Sequence, residues 1–257
     1  GQEALYTGRV LSGWGIAMVL GVPFSAFIAE NLHWRQAFVI LTIVAVLALI
    51  MVWASVSTAL GVRRARPAPV SFVALTWPRV TRLLIICFAF MASFYGVYAF
   101  LGAHVRATLG LEAGGAAMFV FAYGLGFGLA TFADGFIDRL GAGRVLAPTF
   151  AGLLLIYAFL PVTLEQLWAG LAFTFVWGYV NHFGINLIVS QLTAAKPDRR
   201  GEVLGFYSTV TYIASMVGTG GLNLVYGTFG FAPLSWIAAG LMAISVLVWT
   251  LRPNKGM

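Results

Sequence analysis

Long apolar runs separated by short polar interruptions dominate the chain. Eight of them approach the roughly 20 residues that a helix needs to cross the hydrocarbon core of a bilayer. They lie at about 10–29, 37–57, 83–103, 116–133, 145–164, 167–188, 203–224 and 233–251. Lipid offers the backbone no hydrogen-bonding partners, and the strand-like alternation of a barrel is absent, so each run is predicted to be a helix. The pattern predicts an all-α, polytopic membrane protein with about eight transmembrane helices.

Composition agrees with lipid as the main solvent. Of the 257 residues, 61% are hydrophobic and 9% are charged, whereas soluble domains carry about 25% charged residues. Surface-to-volume scaling leaves a water-soluble protein of this size no place to hide so much apolar surface. The single cysteine, Cys87, excludes a disulfide within the chain and a cysteine-based metal site. We therefore expect neither a metal nor a cofactor.

The basic residues fall mainly on one side of an eight-span zigzag. Only Arg35 and Arg106 lie on the other side. The majority comprises Arg9, Arg63, Arg64, Arg66, Arg79, Arg82, Arg139, Arg144, Lys196, Arg199, Arg200, Arg252 and Lys255. This positive-inside bias predicts a protein integral to the cell (inner) membrane with both ends of the chain in the cytoplasm. The net charge of +7 is thus assigned to loops facing anionic lipid, not to nucleic acid.

A basic linker and a weak repeat predict the domain organisation. The longest polar interruption, residues 61–82, holds clustered arginines and prolines and is predicted to be a cytoplasmic linker. Residues 8–11 (Gly-Arg-Val-Leu) and 201–204 (Gly-Glu-Val-Leu) open spans that lie six apart, as in transporters built from two six-helix halves. Residues 1–60 would then be the last two helices of an N-terminal bundle, with four helices missing before them. Residues 83–257 would be a complete six-helix C-terminal bundle.

Two neighbouring segments resemble spans five and six of major facilitator drug–proton antiporters. Residues 15–23 resemble a span with a glycine-rich, proline-containing antiporter motif, and residues 33–38 resemble the Gly-Trp-Arg-x-x-Phe turn after it. Gly13, Gly21 and Pro23 match the antiporter motif.

Two loops extend the resemblance into the second half of the family's fold. Residues 138–144, Asp-Arg-Leu-Gly-Ala-Gly-Arg, resemble the Gly-x-x-x-Asp-Arg-x-Gly-Arg loop between spans eight and nine, with Asp134 in the place of the leading glycine. Residues 195–201, Ala-Lys-Pro-Asp-Arg-Arg-Gly, resemble the loop before span eleven. The resemblance implies a cytoplasmic latch in which Asp138, with Arg139 and Arg144, approaches the first span at Arg9.

The function implied by this resemblance is proton-coupled efflux of a small, amphipathic solute by alternating access. The chain would be the C-terminal two-thirds of such a secondary transporter and not an enzyme. Two other interpretations stay open. One is a polytopic membrane enzyme acting on lipid, with His182 and Asn181 as polar catalysts, although the sequence shows no second titratable group at that depth. The other is a truncated, non-transporting fragment, because alternating access needs both bundles.

His182 is the ionisable residue nearest the centre of a predicted span, with Asn181 beside it and Asn186 one turn later. Intramembrane ionisable groups usually face a bundle interior or a watery cavity, and histidine titrates near neutrality. Substrate contact or proton relay is one interpretation, and a neutral histidine that ties two helices together is the other. If His182 lines a transport path, we expect it to be less buried than an ordinary core residue, with Asn186 on the same face.

Aromatic, glycine and aspartate positions complete the candidates. Phe94, Tyr95 and Tyr98 lie on adjoining faces of the third span, which lines the cavity in the family, so the resemblance implies substrate contact; packing is the alternative. The glycines of the fourth span, at 124, 126 and 128, are predicted to form a close-packing surface. Asp134 and Asp138 are placed at the cytoplasmic boundary, where an intramembrane aspartyl protease is not expected.

Overall fold

The structure, a computed structural model, describes residues 34–55 and 76–251, apart from the side chains of 34 and 136–138, and the isolated positions 21, 24, 25, 28 and 32. The long described segments are helical, without a strand. The helices are α1 (Trp34–Ser55), α2 (Pro78–Leu109), α3 (Ala113–Ala130), α4 (Asp134–Leu140), α5 (Ala142–Thr163), α6 (Leu167–Ala195), α7 (Arg200–Phe229) and α8 (Phe231–Thr250). Single 3₁₀ turns, Thr131–Ala133 and Pro197–Arg199, precede α4 and α7.

The all-α, membrane-spanning architecture predicted from the hydrophobic runs is confirmed. Among the described residues, six helices are long and apolar enough to cross a membrane: α1, α2, α3 with its 3₁₀ turn, α5, α6 and α8. Helix α7, at 30 residues, covers the predicted seventh span and is rich in glycines and hydroxyl side chains; it is not among these six. The predicted first span, 10–29, lies almost wholly outside the described residues.

The helices extend further than the hydrophobic runs. Helix α2 begins at Pro78, inside the predicted linker 61–82, and α6 continues to Ala195, beyond the predicted end at 188. Proline suits the first turn of a helix because its missing N–H would have no partner there. Hydropathy detects the part of a helix inside the hydrocarbon, and the polar turns at the membrane surface therefore escape it.

Helices α2, α3 and α5 to α8 pack around one hydrophobic core. The most extensive contacts join α2 with α7, α3 with α6, α5 with α8, and α2 with α8. Trp177, Phe90 and Phe150 lie fully buried between these helices. In α1, by contrast, nearly every described side chain is exposed.

One end of this bundle carries most of its positive charge. The side chain of Arg79, at the start of α2, donates to Gln191 near the end of α6, and the indole of Trp249 in α8 donates to the carbonyl of Gly143 in α5. Helix ends are thereby held together. We call this the basic end; its cations are Arg79, Arg82, Arg139, Arg144, Lys196, Arg199 and Arg200.

Glycines bring α3 and α6 into direct backbone contact. A Cβ added to Gly126 would overlap the carbonyl of Phe175, and one added to Gly178 would overlap the carbonyl of Tyr123. Small residues allow this approach between membrane helices, where lipid supplies no hydrophobic drive for association. The close-packing role predicted for the glycines of this span is confirmed at Gly126.

Candidate functional site

A polar network joins α6 to the start of α4. The Nε2 atom of His182 lies 2.9 Å from Oδ1 and 3.1 Å from Oδ2 of Asp134. The amide of Asn186 donates to the same Oδ1 at 2.9 Å. An ionised carboxylate only accepts hydrogen bonds, so the His182 tautomer that pairs with an ionised Asp134 is the one with its hydrogen on Nε2. We call these three side chains the carboxylate network.

The helices position the network in a simple way. Helices α3 and α6 lead toward the same end of the bundle, and their glycine contact fixes the stagger between them. Beyond α3, the 3₁₀ turn Thr131–Ala133 changes the helical phase before α4 starts at Asp134. Thr131 caps this change by donating its hydroxyl to the carbonyl of Gly128 at 2.7 Å. A 3₁₀ stretch within a long helical rod often marks a hinge.

His182 is more buried than a path-lining residue was expected to be. Its relative exposure is 7%, so His182 does not show the exposure expected of a residue that lines a transport path. The physical reason is local cover: the Phe127 ring meets the imidazole edge to face at 4.9 Å, and Asp134 occupies the polar edge. The expectation that Asn186 shares the face of His182 is confirmed, because its amide nitrogen lies 3.2 Å from Nε2.

Asp134 is the functional candidate that sequence reasoning missed. It was placed at the membrane boundary, yet its side chain, 34% exposed, pairs with the nearly enclosed His182. The sequence does contain a signal for this pair, in the direction of two spans and the depth of two residues. The fourth and sixth predicted spans run the same way, and Asp134 and His182 both lie within two turns of the same end of their spans. That shared depth favours a pair.

The second nitrogen of His182 bears on the enzyme interpretation. Asp134 supplies the second titratable group that this interpretation lacked. However, Nδ1 is buried and has no hydrogen-bond partner in the described part of the chain. A histidine acting as general base in nucleophilic catalysis contacts its nucleophile through one nitrogen and its orienting group through the other. The described residues provide the orienting group and no nucleophile, and they contain no group of three potential metal ligands.

An aromatic cluster lies beside the network along α2, α3 and α6. We define it as Phe94, Tyr98, Tyr123 and Trp177. Ring centroids are 5.1 Å apart for Tyr98 and Tyr123, 5.1 Å for Tyr123 and Trp177, and 5.6 Å for Phe94 and Tyr123. Such spacings are those of favourable edge-to-face and stacked pairs.

Hydrogen bonds satisfy part of this cluster. Asn181 donates to the hydroxyl of Tyr123 at 2.6 Å, and the Trp177 indole donates to Tyr157 at 3.3 Å. The hydroxyl of Tyr98 and the carbonyl oxygen of Asn181 are buried without a hydrogen-bond partner among the described residues. Unpaired buried polar atoms of this kind are uncommon and costly.

The predicted substrate residues thus divide into two groups. Phe94, Tyr98 and Asn181 belong to or contact the aromatic cluster, and Tyr95 is half-buried against Phe94 at 4.9 Å. His182 and Asn186 belong to the carboxylate network. Phe127 contacts both groups, since its ring lies 6.2 Å from Tyr123 and 4.9 Å from His182. Tyr123 and Trp177 were not predicted, because aromatic residues in a membrane helix give no distinguishing signal by themselves.

The latch and antiporter-motif predictions fall mostly outside the described residues. Arg9, Gly13, Pro23 and the side chain of Asp138 are not described. Arg139 and Arg144 are exposed at the basic end. The carbonyl of Gly21 accepts a hydrogen bond from the hydroxyl of Ser25 at 2.7 Å. The latch contact stays a prediction.

Comparisons with known proteins agree with this helical bundle. The family model described as Major Facilitator Superfamily matches residues 1–219. A Bacillus subtilis (strain 168) protein named "Uncharacterized MFS-type transporter YwfA" is 29% identical over 250 residues, covering 95% of this chain and 60% of that protein. A second, "Uncharacterized MFS-type transporter YfhI" of the same organism, is 26% identical over 183 residues, covering 69% of this chain and 44% of that protein. The chain therefore spans less than two thirds of the length of either relative.

Proposed function

The chain belongs to the major facilitator superfamily, and from that premise we propose that the protein is a secondary active transporter exporting a small amphipathic solute in exchange for protons. Family membership supports transport over the membrane-enzyme alternative. The alternative of a non-transporting fragment stays open for this chain by itself, because alternating access needs both bundles. The division into residues 1–60, 61–82 and 83–257 is part of the same proposal. The single bundle formed by α2 to α8 supports it, with α2 taking in the last residues of the linker.

The pairing of Asp134 with His182 is the observation that supports proton coupling. Ionisable groups among membrane helices are expensive and are typical of ion and proton pathways. A proton that binds Asp134 removes the carboxylate charge toward which His182 and Asn186 donate at 2.9 Å. Charge-assisted hydrogen bonds are about twice as strong as neutral ones, so the network weakens when the proton arrives. Its loosening would free the start of α4 from α6.

The matching conformational change is alternating access. In this mechanism two bundles rock against each other around a central site. The 3₁₀ turn Thr131–Ala133 lies between the rigid α3 and the proton-sensitive start of α4. We propose that Tyr95 and Tyr98, which are only partly buried, contact the solute while the other rings of the aromatic cluster pack behind them, and that the carboxylate network carries the proton. The hydroxyl of Tyr98 and the carbonyl oxygen of Asn181 have no hydrogen-bond partner among the described residues, and we propose that they make the polar contacts to the solute.

Dye transport by the full-length gene product in proteoliposomes tests the proposal. With an imposed pH gradient, we expect wild-type protein to move ethidium uphill. Asp134→Asn should abolish this movement while dye exchange without a gradient persists, because an amide keeps the contacts but cannot carry the proton. Asp198→Asn, an exposed acid at the basic end, is the matched control and should transport like wild type.

Two outcomes would contradict the proposal at different points. Uphill dye movement by Asp134→Asn would remove the proton role from the carboxylate network. Failure of the wild-type protein to couple any of a panel of amphipathic dyes to the gradient would remove the proposed solute class.

A further inference from the structure

The basic end contains more positive charge than its described side chains neutralise. Arg199 pairs with Glu202 at 3.2 Å, and no other ion pair to a basic-end cation occurs within the described residues. Two neighbouring stretches of sequence add further cations and no acid. Residues 56–76 contain three arginines and no Asp or Glu, and residues 252–257 contain one arginine, one lysine and no acid.

Part of this charge converges on Trp77. The Nζ atom of Lys196 lies 4.0 Å from the centroid of the Trp77 rings, and Cζ of Arg199 lies 5.7 Å from it. Trp77 is the N-cap of α2, and Lys196 follows the last residue of α6. The start of one membrane helix, the end of another and the 3₁₀ turn Pro197–Arg199 therefore meet at a single indole.

Arg79 brings a third cation to this junction. It donates at 2.9 Å to the side-chain oxygen of Gln191, which is 8% exposed and lies on the last turns of α6. A neutral amide fixes the direction of the guanidinium without cancelling its charge. Arginine carries five N–H donors, and the bond to Gln191 uses one of them, so within the described residues donors are left for a second acceptor. The acids closest in sequence to Lys196 and Arg199 are Asp198, which is exposed, and Glu202, which pairs with Arg199.

The side chains at this junction suit a bound anion at the level of the membrane surface. A lysine ammonium held against an indole face keeps its N–H donors for an oxyanion on the other side. Tryptophan prefers the interface between headgroups and hydrocarbon, which is where the ends of membrane helices lie. Basic pockets between helices on the cytoplasmic side are typical binding places for anionic lipid headgroups.

We propose that Trp77, Arg79, Lys196 and Arg199 form a binding site for the phosphate of an anionic phospholipid, of which phosphatidylglycerol is the probe. The phosphodiester would lie between Lys196 and Arg79, with the indole at the level of the acyl ester groups. The ligand is a lipid and not free phosphate, because the cations surround the end of a membrane-crossing helix pair. This site is independent of the proposed transport function.

Lipid retention by the full-length gene product is the test. The protein is extracted from vesicles of phosphatidylcholine with and without phosphatidylglycerol, and bound lipid is counted by native mass spectrometry. We expect wild-type protein to retain phosphatidylglycerol preferentially. Each charge removed, in Lys196→Gln and in Lys196→Gln/Arg199→Gln, should lower that preference about fivefold. Lys196→Arg, which keeps the charge, should restore most of it.

Matched controls separate this site from general attraction to an anionic surface. Arg106→Gln removes one charge from the end of α2 opposite to Trp77 and Arg79, and it should leave the preference for phosphatidylglycerol unchanged. The thermal midpoint of each variant in pure phosphatidylcholine checks that it is folded. Equal loss in Arg106→Gln, or unchanged retention in the double variant, would overturn the proposal. Competition by millimolar inorganic phosphate as effective as by the lipid would reassign the site to a soluble anion and also overturn it.

Discussion

The aromatic cluster and the carboxylate network lie side by side on α3 and α6 but hold their polar atoms differently. In the aromatic cluster, Trp177 and Tyr123 are at most 1% exposed, and ring packing fixes the position of each hydroxyl. In the carboxylate network, the Asp134 side chain is 34% exposed, and hydrogen bonds alone hold it to α6. Packed rings have one arrangement, whereas a partly solvated, hydrogen-bonded pair can be made and broken. We infer from this difference a rigid part and a switchable part on one helix pair.

Removing Trp177 should give the largest effect, because it destroys the rigid part. We expect Trp177→Ala to lower the free energy of unfolding by about 3–5 kcal/mol, the usual cost of a large aromatic cavity. Denaturation in mixed micelles of increasing SDS fraction measures this quantity. Trp168→Ala is the matched control: Trp168 is 76% exposed on the same helix, so its loss should cost far less. Equal costs for the two tryptophans would refute the packed-cluster description.

Adding one methyl group at the glycine contact should give an intermediate effect. Gly178→Ala places a Cβ against the carbonyl of Tyr123, so α3 and α6 must separate. We expect a loss of about 1–3 kcal/mol in the same assay, as for other overpacked sites. Gly102→Ala, which meets nothing within 4 Å, should change stability little. A neutral Gly178→Ala would mean that the backbones are not in contact there.

Neutralising the switchable part should give the smallest effect on stability. Asp134→Asn keeps the shape of the side chain and loses the charge in a partly solvated pair, so we expect a loss of at most about 1 kcal/mol. The same SDS titration measures it, and a fall as large as that of Trp177→Ala would make the network structural. The contrast between the two parts is clearest when Asp134→Asn, which changes stability little, also loses gradient-driven transport.

Much of the fold could be predicted because lipid imposes strict rules. The run at 145–164 became α5 (Ala142–Thr163) and the run at 233–251 became α8 (Phe231–Thr250). Hydropathy finds helices where the backbone has no other partner. It could not predict that α2 starts at Pro78, since a turn outside the hydrocarbon carries no apolar signal.

The candidate site was less predictable, because it depends on the stagger of two helices. His182 and Asn186 share a face of one helix, which spacing alone predicts. Their partner Asp134 lies 48 residues away in sequence, and it reaches them only through the glycine contact and the 3₁₀ turn that follows α3. The burial of His182 was likewise a property of its neighbours, above all Phe127, and not of its own position in a span.

The glycine contact between α3 and α6 also has a mechanical consequence. Two rods joined backbone to backbone at Gly126 and Gly178 resist both sliding and splaying, so together they behave as a strut. A strut transmits displacement without absorbing it, and strain applied at one end of the pair must appear at its weakest section. We place that section at the 3₁₀ turn Thr131–Ala133, immediately before Asp134, because hydrogen-bond geometry is poorer in a 3₁₀ turn than in an α-helix. A small displacement among the aromatic rings would thus be transmitted to the Asp134 carboxylate, which holds the start of α4 to His182 and Asn186 of α6.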